Sequence, residues 1–435
     1  MIENNLDLQK VVLQTGKTDA IDMRPVFGTM NVYEDVYSNF ITGTISLQDS
    51  VNLPTNHQIT GHENLKLKFK GKNVYNAHKA NEPWIDLDLC VHGISERSVM
   101  STKLQEYTLH FSSYASLKNN LVKVSQAFSE NIPNIINNIW KTYIDEPVIS
   151  DVDSPTGFSC VVPHWPPAYA VNWLSERCLA GTPQNGIVAD CLFYEDRGTF
   201  RLSSLSALKL APPTLIDPQS GSTLYYNIPG LLPEFHYSRQ RNVESFTVQP
   251  SFDTMIATRH GVYGAQAVTH DITRKKLVYH TPFNYETDFA KRPHLAKYNM
   301  VPSSGLANQK KVPGQLSNYS QSGYGLYPKQ SYLYDGAIHV KYPEMYIFQR
   351  NSQLSQTKTM TIGVLIPGDT SIRLGSVIAW KHFPSFEQST EGVPQPKDEL
   401  LSGNFLVTAI NHILEPGHYK MMIELTKDSV GKDLK

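Results

Sequence analysis

The sequence predicts an α+β, β-rich protein: two small antiparallel β units, an α+β module between them, and a long loop or arm. Three observations carry this. Apolar and polar residues alternate from Asp22 to about Ser113, the apolar spacing changes to three and four between Ile132 and Tyr143, and alternation returns after Glu244. Alternation marks strands with one buried face, and the three-to-four spacing marks an amphipathic helix.

The elements follow in chain order. Ile41, Gly43, Ile45 and Leu47 fall on one face of a strand, as do Leu65, Leu67 and Phe69, and then Tyr107, Leu109 and Phe111. Pro54–Gly61 and Gly71–Pro83 are rich in turn residues that separate those strands. About five or six strands in this stretch make a small barrel or sandwich. Pro133 sits where a first helical turn tolerates proline, and Ile132, Ile135, Ile136, Ile139, Trp140 and Tyr143 form one apolar stripe behind it. A second helix begins at Pro166 and Pro167, carries Ala170, Trp173, Leu174 and Cys178 inward, and stops at Gly181. Two β-rich runs between Ile187 and Leu205 flank Asp196, Arg197 and Gly198, a hairpin turn signal.

β character resumes through Phe246, Val248 and Phe252 to Tyr285. Ser303 to Tyr334 is rich in Ser, Gln, Gly and Tyr without periodicity, and reads as a loop or extended arm. A helix around Met345–Leu354 precedes strands at Thr359–Ile366, Val377–Trp380, Phe405–Leu414 and Tyr419–Leu425. No short-period repeat is visible, which disfavours solenoids and propellers.

Composition narrows the function classes. At 435 residues the chain exceeds the size at which one core keeps growing. Charged residues are only 18% of it, which fits surfaces buried against other subunits. A net charge of −1 with no basic block argues against nucleic-acid or membrane binding driven by bulk charge. Cys90, Cys160, Cys178 and Cys191 show no CxxC spacing and read as reduced core thiols. The first residues, MIENNLDLQKVV, are too polar for a signal peptide, and no run approaches the length of a membrane span, so the chain is expected to stay in a cytosol unless an assembly carries it out.

The search for chemistry returns little. There is no HExxH, phosphate-binding loop, GxGxxG or GxSxG. His62 and Glu63 are a fragment of a zinc signature. His412 and His418 flank a Pro416-Gly417 turn where both would sit at one strand end, either as a metal pair or as ordinary core or solvated histidines. Asp86 and Asp88 alternate with Ile85, Leu87 and Leu89, so they form an acid/base or calcium pair or simply a solvated strand face. Asp151 and Asp153 open like a calcium loop, but Pro155 and the lack of a downstream Glu break the pattern. Trp140 and Trp173 lie on apolar stripes, whereas Trp84, Trp165 and Trp380 are free for packing or for stacking on a sugar. Asn318-Tyr319-Ser320 is a glycosylation acceptor without a secretion signal. No catalytic, cofactor or metal site is assigned, and the chain is not expected to be an enzyme.

Several segments together resemble the baseplate central hub of contractile-tail bacteriophages of the T-even type. Pro163-His164-Trp165-Pro166-Pro167, then Ala170, Asn172-Trp173-Leu174 and Arg177, resembles that family's proline-rich helix entry. Phe193-Tyr194-Glu195 with Gly198 and Phe200 resembles the hairpin that follows. Phe252-Asp253, Gly261-Val262-Tyr263-Gly264 and Asp271-Ile272-Thr273-Arg274-Lys275 resemble a Gly-x-Tyr-Gly turn leading into a strand. Pro367-Gly368-Asp369-Thr370 with Gly375, Ser402-Gly403 to Thr408-Ala409, and Glu424-Leu425 to Lys427-Asp428-Ser429 complete the order. Physically these are scaffold features: glycines for close approach, prolines for helix starts, aromatics for packing. The arm from Ser303 to Tyr334 has no counterpart in that pattern.

The resemblance implies a first tube-type β-barrel domain over 1–116, an α+β module over 117–228, a second tube-type barrel in two parts over 229–302 and 336–435, and a loop or arm over 303–335. It implies a homotrimeric virion protein, assembled in the host bacterial cytoplasm, that joins the tail tube or tube initiator to the central spike protein and touches baseplate wedge proteins. Double-stranded DNA would pass through its lumen as non-specific cargo, and no membrane is involved. The rival readings are a carbohydrate-binding adhesin or receptor-binding tail module, and a peptidoglycan hydrolase.

Overall fold

A computed structural model describes residues 5–15, 20–72, 83–154, 157–180, 188–214, 243–250, 253–271, 275–300, 316–320, 324–329, 347–380 and 398–432. Strands β1 (Leu6–Gln14), β2 (Ala20–Asp22), β3 (Phe27–Asp35) and β4 (Thr42–Asp49) lead to a short helix α1 (Leu53–Asn56), then β5 (Asn64–Gly71), β6 (Ile85–Ser101) and β7 (Leu104–Ser113). The alternating positions point inward as the sequence requires: Ile45, Leu47, Leu65, Leu67, Phe69, Tyr107, Leu109 and Phe111 are all buried. Gly43 shares that face because nothing larger fits. A Cβ there would lie 2.3 Å from the Asn31 carbonyl oxygen and 2.4 Å from the Phe111 ring.

The α+β module contains α2 (Tyr114–Leu121), β8 (Val124–Asn131), α3 (Ile132–Ile139), a π-helical turn Trp140–Ile144, β9 (Val148–Ser150), β10 (Gly157–Trp165), α4 (Pro167–Ser175), β11 (Cys191–Asp196), β12 (Thr199–Ser204) and α5 (Leu205–Leu210). The side chain of Asn131 caps α3 by accepting the Asn134 N–H at 3.0 Å. Behind that cap Ile132, Ile135, Ile136, Ile139 and Trp140 are fully buried. The Trp140 ring sits 4.7 Å from Phe193 and 4.8 Å from Phe200, so helix and hairpin share one core. The hairpin turns on Arg197 and Gly198, with φ of 52° and 74°. Two successive positive φ values match the right-handed twist of the flanking strands, which is why a two-residue loop suffices. Helix α4 ends at Ser175, and Gly181 lies outside the described residues.

The rest of the chain gives β13 (Ser245–Pro250), α6 (Thr254–Arg259), β14 (Gly264–Asp271), β15 (Lys276–Tyr279), β16 (Phe283–Asn284), α7 (Tyr285–Phe289) and β17 (Tyr298–Asn299). A 3-10 turn at Leu316–Asn318 and β18 (Tyr324–Lys329) come next, followed by α8 (Ile347–Thr357), β19 (Met360–Pro367), β20 (Val377–Trp380), β21 (Gly403–Glu415), β22 (His418–Lys427) and β23 (Ser429–Val430). Gly261, at φ 71°, turns the chain into β14. Within the stretch read as an arm, the described residues include β18, which pairs parallel to β14 from Gln266↔Tyr324 to Asp271↔Lys329. The remainder of Ser303–Tyr334 lies outside the described residues.

The two β units meet in one sheet. Strand β3 pairs antiparallel with β21, from Asp35↔Ala409 to Met30↔Leu414. The result is a 12-stranded sheet ordered β13-β19-β22-β21-β3-β4-β7-β6-β5-β1-β2, with β20 attached to β21. That order is an open path, and no closed barrel is found among the described residues. The sheet curls instead: the Phe69 ring on β5 packs edge-on, 5.7 Å from His412 and 5.5 Å from Tyr419. Apolar side chains from both halves, with Leu192, Tyr194 and Leu205 of the module, form one continuous core.

Candidate interaction surfaces and the buried charge network

The residues singled out for chemistry mostly serve the fold. Glu63 is buried and accepts the N–H groups of Thr60, Gly61 and His62 at 2.6, 2.9 and 3.0 Å, which pins the turn before β5. Asp86 and Asp88 emerge on one exposed strand face, opposite Lys68 and Lys66, and Asp86 pairs with Lys68 at 2.9 Å. Exposed pairs of this kind contribute little. Asp151 accepts the Ser203 hydroxyl at 3.1 Å, Asp153 is exposed, and Pro155 lies outside the described residues. Asn318 is exposed at the end of the 3-10 turn.

His412 and His418 do not share a strand end. His412 lies deep on β21 opposite Met421, whereas His418 opens β22 opposite Glu415. His412 is fully buried, its Nδ1 2.7 Å from the Tyr419 hydroxyl and its Nε2 3.4 Å from Glu34. Both ring nitrogens are occupied by core partners. Among the described residues no group of three or more His, Cys, Asp or Glu side chains is placed to hold a metal ion. The four cysteines are free and buried.

The tryptophans divide differently from the sequence reading. Trp380 is buried against Phe405 at 5.9 Å, and Trp84 is half-buried with the Lys70 ammonium 4.6 Å from its ring. Trp173, expected inward with Ala170, Leu174 and Cys178, is half-buried instead. It stands about 100° round the helix from Leu174, at the edge of the apolar stripe. There it joins a surface cluster: Trp165 at 5.6 Å, Phe158 at 5.8 Å, and the Arg177 guanidinium 4.0 Å over its ring. Tyr169, 56% exposed, packs edge-on to Trp165 at 4.9 Å. A bulge at His164, with φ 55°, turns Trp165 toward that cluster. A second apolar surface is the β6–β7 hairpin, which continues beyond the last β5 partner at Cys90 and exposes Val99 and Met100 at its tip.

The main feature that sequence reasoning missed is a buried charge network. Asp428, between β22 and β23, has a fully buried carboxylate whose Oδ2 meets the Lys209 ammonium and His294 Nδ1, each at 2.8 Å. Its Oδ1 accepts the Leu295 N–H at 3.2 Å and the Ser429 hydroxyl at 2.7 Å. Burial alone raises a carboxyl pKa, but here the Lys209 charge and the His294 hydrogen bond outweigh it and hold Asp428 well below the usual range. The neighbouring Lys427 is also buried and donates to the Leu400 carbonyl at 3.0 Å and to the Ser402 carbonyl. The available signal was the alternation of β22, which places Lys427 on the inward face after Ile423 and Leu425. Nothing in the sequence pairs Asp428 with Lys209 or His294.

The glycines of the hub-like motifs have steric reasons. A Cβ on Gly368 would lie 1.9 Å from the Tyr419 ring, and Gly375, at φ 72°, donates its N–H to the Val407 carbonyl at 2.9 Å. No helix among the described residues is long and apolar enough to cross a membrane.

No protein-family model and no curated protein sequence matches the chain. Solved structures do. The 43 kDa tail protein of prophage MuSo2 from Shewanella oneidensis superposes with a TM-score of 0.53 at 9% identity, over 97% of this chain and 99% of that one. A tail protein from Neisseria meningitidis superposes with a TM-score of 0.50 at 7% identity, over 96% of each chain. At such identities the likeness is one of fold, and this chain has the fold of those tail proteins.

Proposed function

We propose that the chain is the central hub of a contractile-tail baseplate: a homotrimer that joins the tail tube to the central spike and surrounds a channel for DNA. The observation that carries the reading is the likeness in fold to tail proteins over nearly the whole of both chains. The sequence motifs shared with T-even-type hubs run in the same order. Two β units per chain, covering 1–116 and the two parts 229–302 and 336–435, would give six in a trimer. Such a layer would mediate between a six-fold tube and a three-fold spike. The sheet order ends at β13 on one side and β2 on the other, so head-to-tail pairing of these end strands would extend the sheet into a ring. The α+β module would brace the outside, near the wedge proteins.

Two measurements test this. The mass of the purified protein, alone and with a candidate spike protein, should correspond to three copies, with the spike added. An averaged electron-microscopy map of the particle should contain three chains and an inner wall of near six-fold symmetry. A monomer that ignores the spike, or six chains per ring, would sink the proposal. The surface cluster of Trp165, Tyr169 and Trp173 favours the alternative of a carbohydrate-binding adhesin or receptor-binding tail module. Glycan binding by the isolated monomer would select that alternative.

A further inference from the structure

Beside the apolar core that they share, the α+β module meets the large sheet through a polar joint. Asn39, in the loop between β3 and β4, exchanges side-chain hydrogen bonds with Asn172 on α4 at 2.9 and 2.7 Å, and donates to the Phe193 carbonyl at 3.0 Å. The Arg197 N–H donates to Glu34 at 2.9 Å, and Arg197 Nη2 to the Ile372 carbonyl at 2.6 Å. Asp196 holds Arg201 at 3.0 Å and Arg373 at 2.7 Å.

One group in this joint lacks a counter-charge. Glu195 on β11 is 4% exposed and accepts the Ile41 N–H at 2.9 Å. The charged groups that act on it are Glu34 of β3 and Glu146 beyond the π-helical turn, both acidic. Arg201 and Arg373 are held by Asp196, the Arg197 guanidinium donates through Nη2 to the Ile372 carbonyl, and none of the three makes an ion pair with Glu195. Burial pushes the Glu195 carboxyl up to about 7, with the Ile41 N–H and the Ser113 hydroxyl opposing and Glu34 and Glu146 adding to it.

We propose that the seating of the α+β module on the large sheet is proton-linked through Glu195. With the carboxyl neutral, the joint carries no uncompensated charge there and stays closed. Ionised, it buries an anion beside Glu34 and favours opening, because the open joint hydrates the charge. The sign follows from the closed state binding the proton more tightly than the open one: opening becomes easier as pH rises from the ordinary carboxylate range toward 7, and the effect levels off above that. This holds whether or not the chain is a tail hub.

Hydrogen exchange on peptides covering Ile41 and Phe193–Glu195 reads the opening constant directly, once intrinsic exchange rates are divided out. Between pH 5 and pH 8 the wild-type constant should rise by about 70-fold, from the carboxyl value of about 7. Glu195→Gln should be nearly flat over the same range. A wild-type constant independent of pH, or a Glu195→Gln constant that rises like the wild type, overturns the proposal. If that variant does not fold, carbon NMR of wild-type protein labelled at the glutamate carboxyls decides. One resonance should titrate with a midpoint near pH 7, and the absence of any glutamate titrating between pH 6 and 8 overturns it.

Discussion

Replacing Lys209 by Met tests the buried charge network quantitatively. The Lys209 and Asp428 side chains are 3% and 0% exposed, and their charges meet at 2.8 Å. Removing the cation leaves an anion that keeps two neutral donors, the Leu295 N–H and the Ser429 hydroxyl, and the His294 ring. Breaking a buried pair from one side typically costs about 3 to 5 kcal/mol, because the remaining charge has been taken from water without compensation. Asp428→Asn should cost a similar amount by stranding the Lys209 ammonium. The double variant has no stranded charge, so its cost should fall short of the sum of the single costs by about 2 to 3 kcal/mol. Urea unfolding followed by tryptophan fluorescence at pH 7 measures all three. The pH dependence gives a second arm. The carboxyl of Asp428 is depressed in the folded chain, so its contribution is present above the unfolded value of 3.8 and is lost as pH falls below it. Lys209→Met should therefore show a weaker acid loss than wild type. Single variants within about 0.5 kcal/mol of wild type, or strictly additive costs, would refute the coupling.

Trp140→Ala empties a site between Phe193 and Phe200 and should cost about 3 to 5 kcal/mol by thermal or urea unfolding. Trp173→Ala removes a half-buried ring and should cost only about 1 to 2 kcal/mol, so a larger loss than at Trp140 would show that the helix face is misassigned. Gly43→Ala forces a Cβ to 2.3 Å from the Asn31 oxygen and should destabilise by about 1 to 3 kcal/mol, with unchanged stability refuting the close approach. Asp86→Asn should move stability by less than about 0.5 kcal/mol, since the Asp86 carboxylate is itself exposed to solvent.

Local elements were legible because local physics determines them. Phe69, Leu109 and Trp140 each declare an inward face by spacing alone, and Arg197-Gly198 declares a turn by the conformations it tolerates. What the sequence hid were pairings between distant segments. The β3–β21 ladder brings Asn31 to Asn411 without any feature near either residue to announce it. Strand β18 was hidden for another reason: it pairs parallel to β14, and its Tyr-Gly-Leu-Tyr-Pro-Lys sequence carries no alternating face. The Asp428 network was invisible because Lys209, His294 and Asp428 lie far apart in the chain and no spacing or motif links them.

The β3–β21 ladder also sets a schedule for synthesis. Asp35 leaves the ribosome long before Ala409, its partner. At elongation rates of about 5 to 20 residues per second, roughly 20 to 75 seconds separate the two. Throughout that interval the nascent chain can pair β3 with β4 on one edge, but the other edge, on a strand with Met30 and Val32 destined for the core, has a partner that does not yet exist. The amino-terminal half must wait in a state that resists pairing with its neighbours on the same polysome. Fragments that stop short of Gly403 would keep that edge exposed indefinitely and should collect in inclusion bodies, whereas the full chain closes it as its last strands emerge.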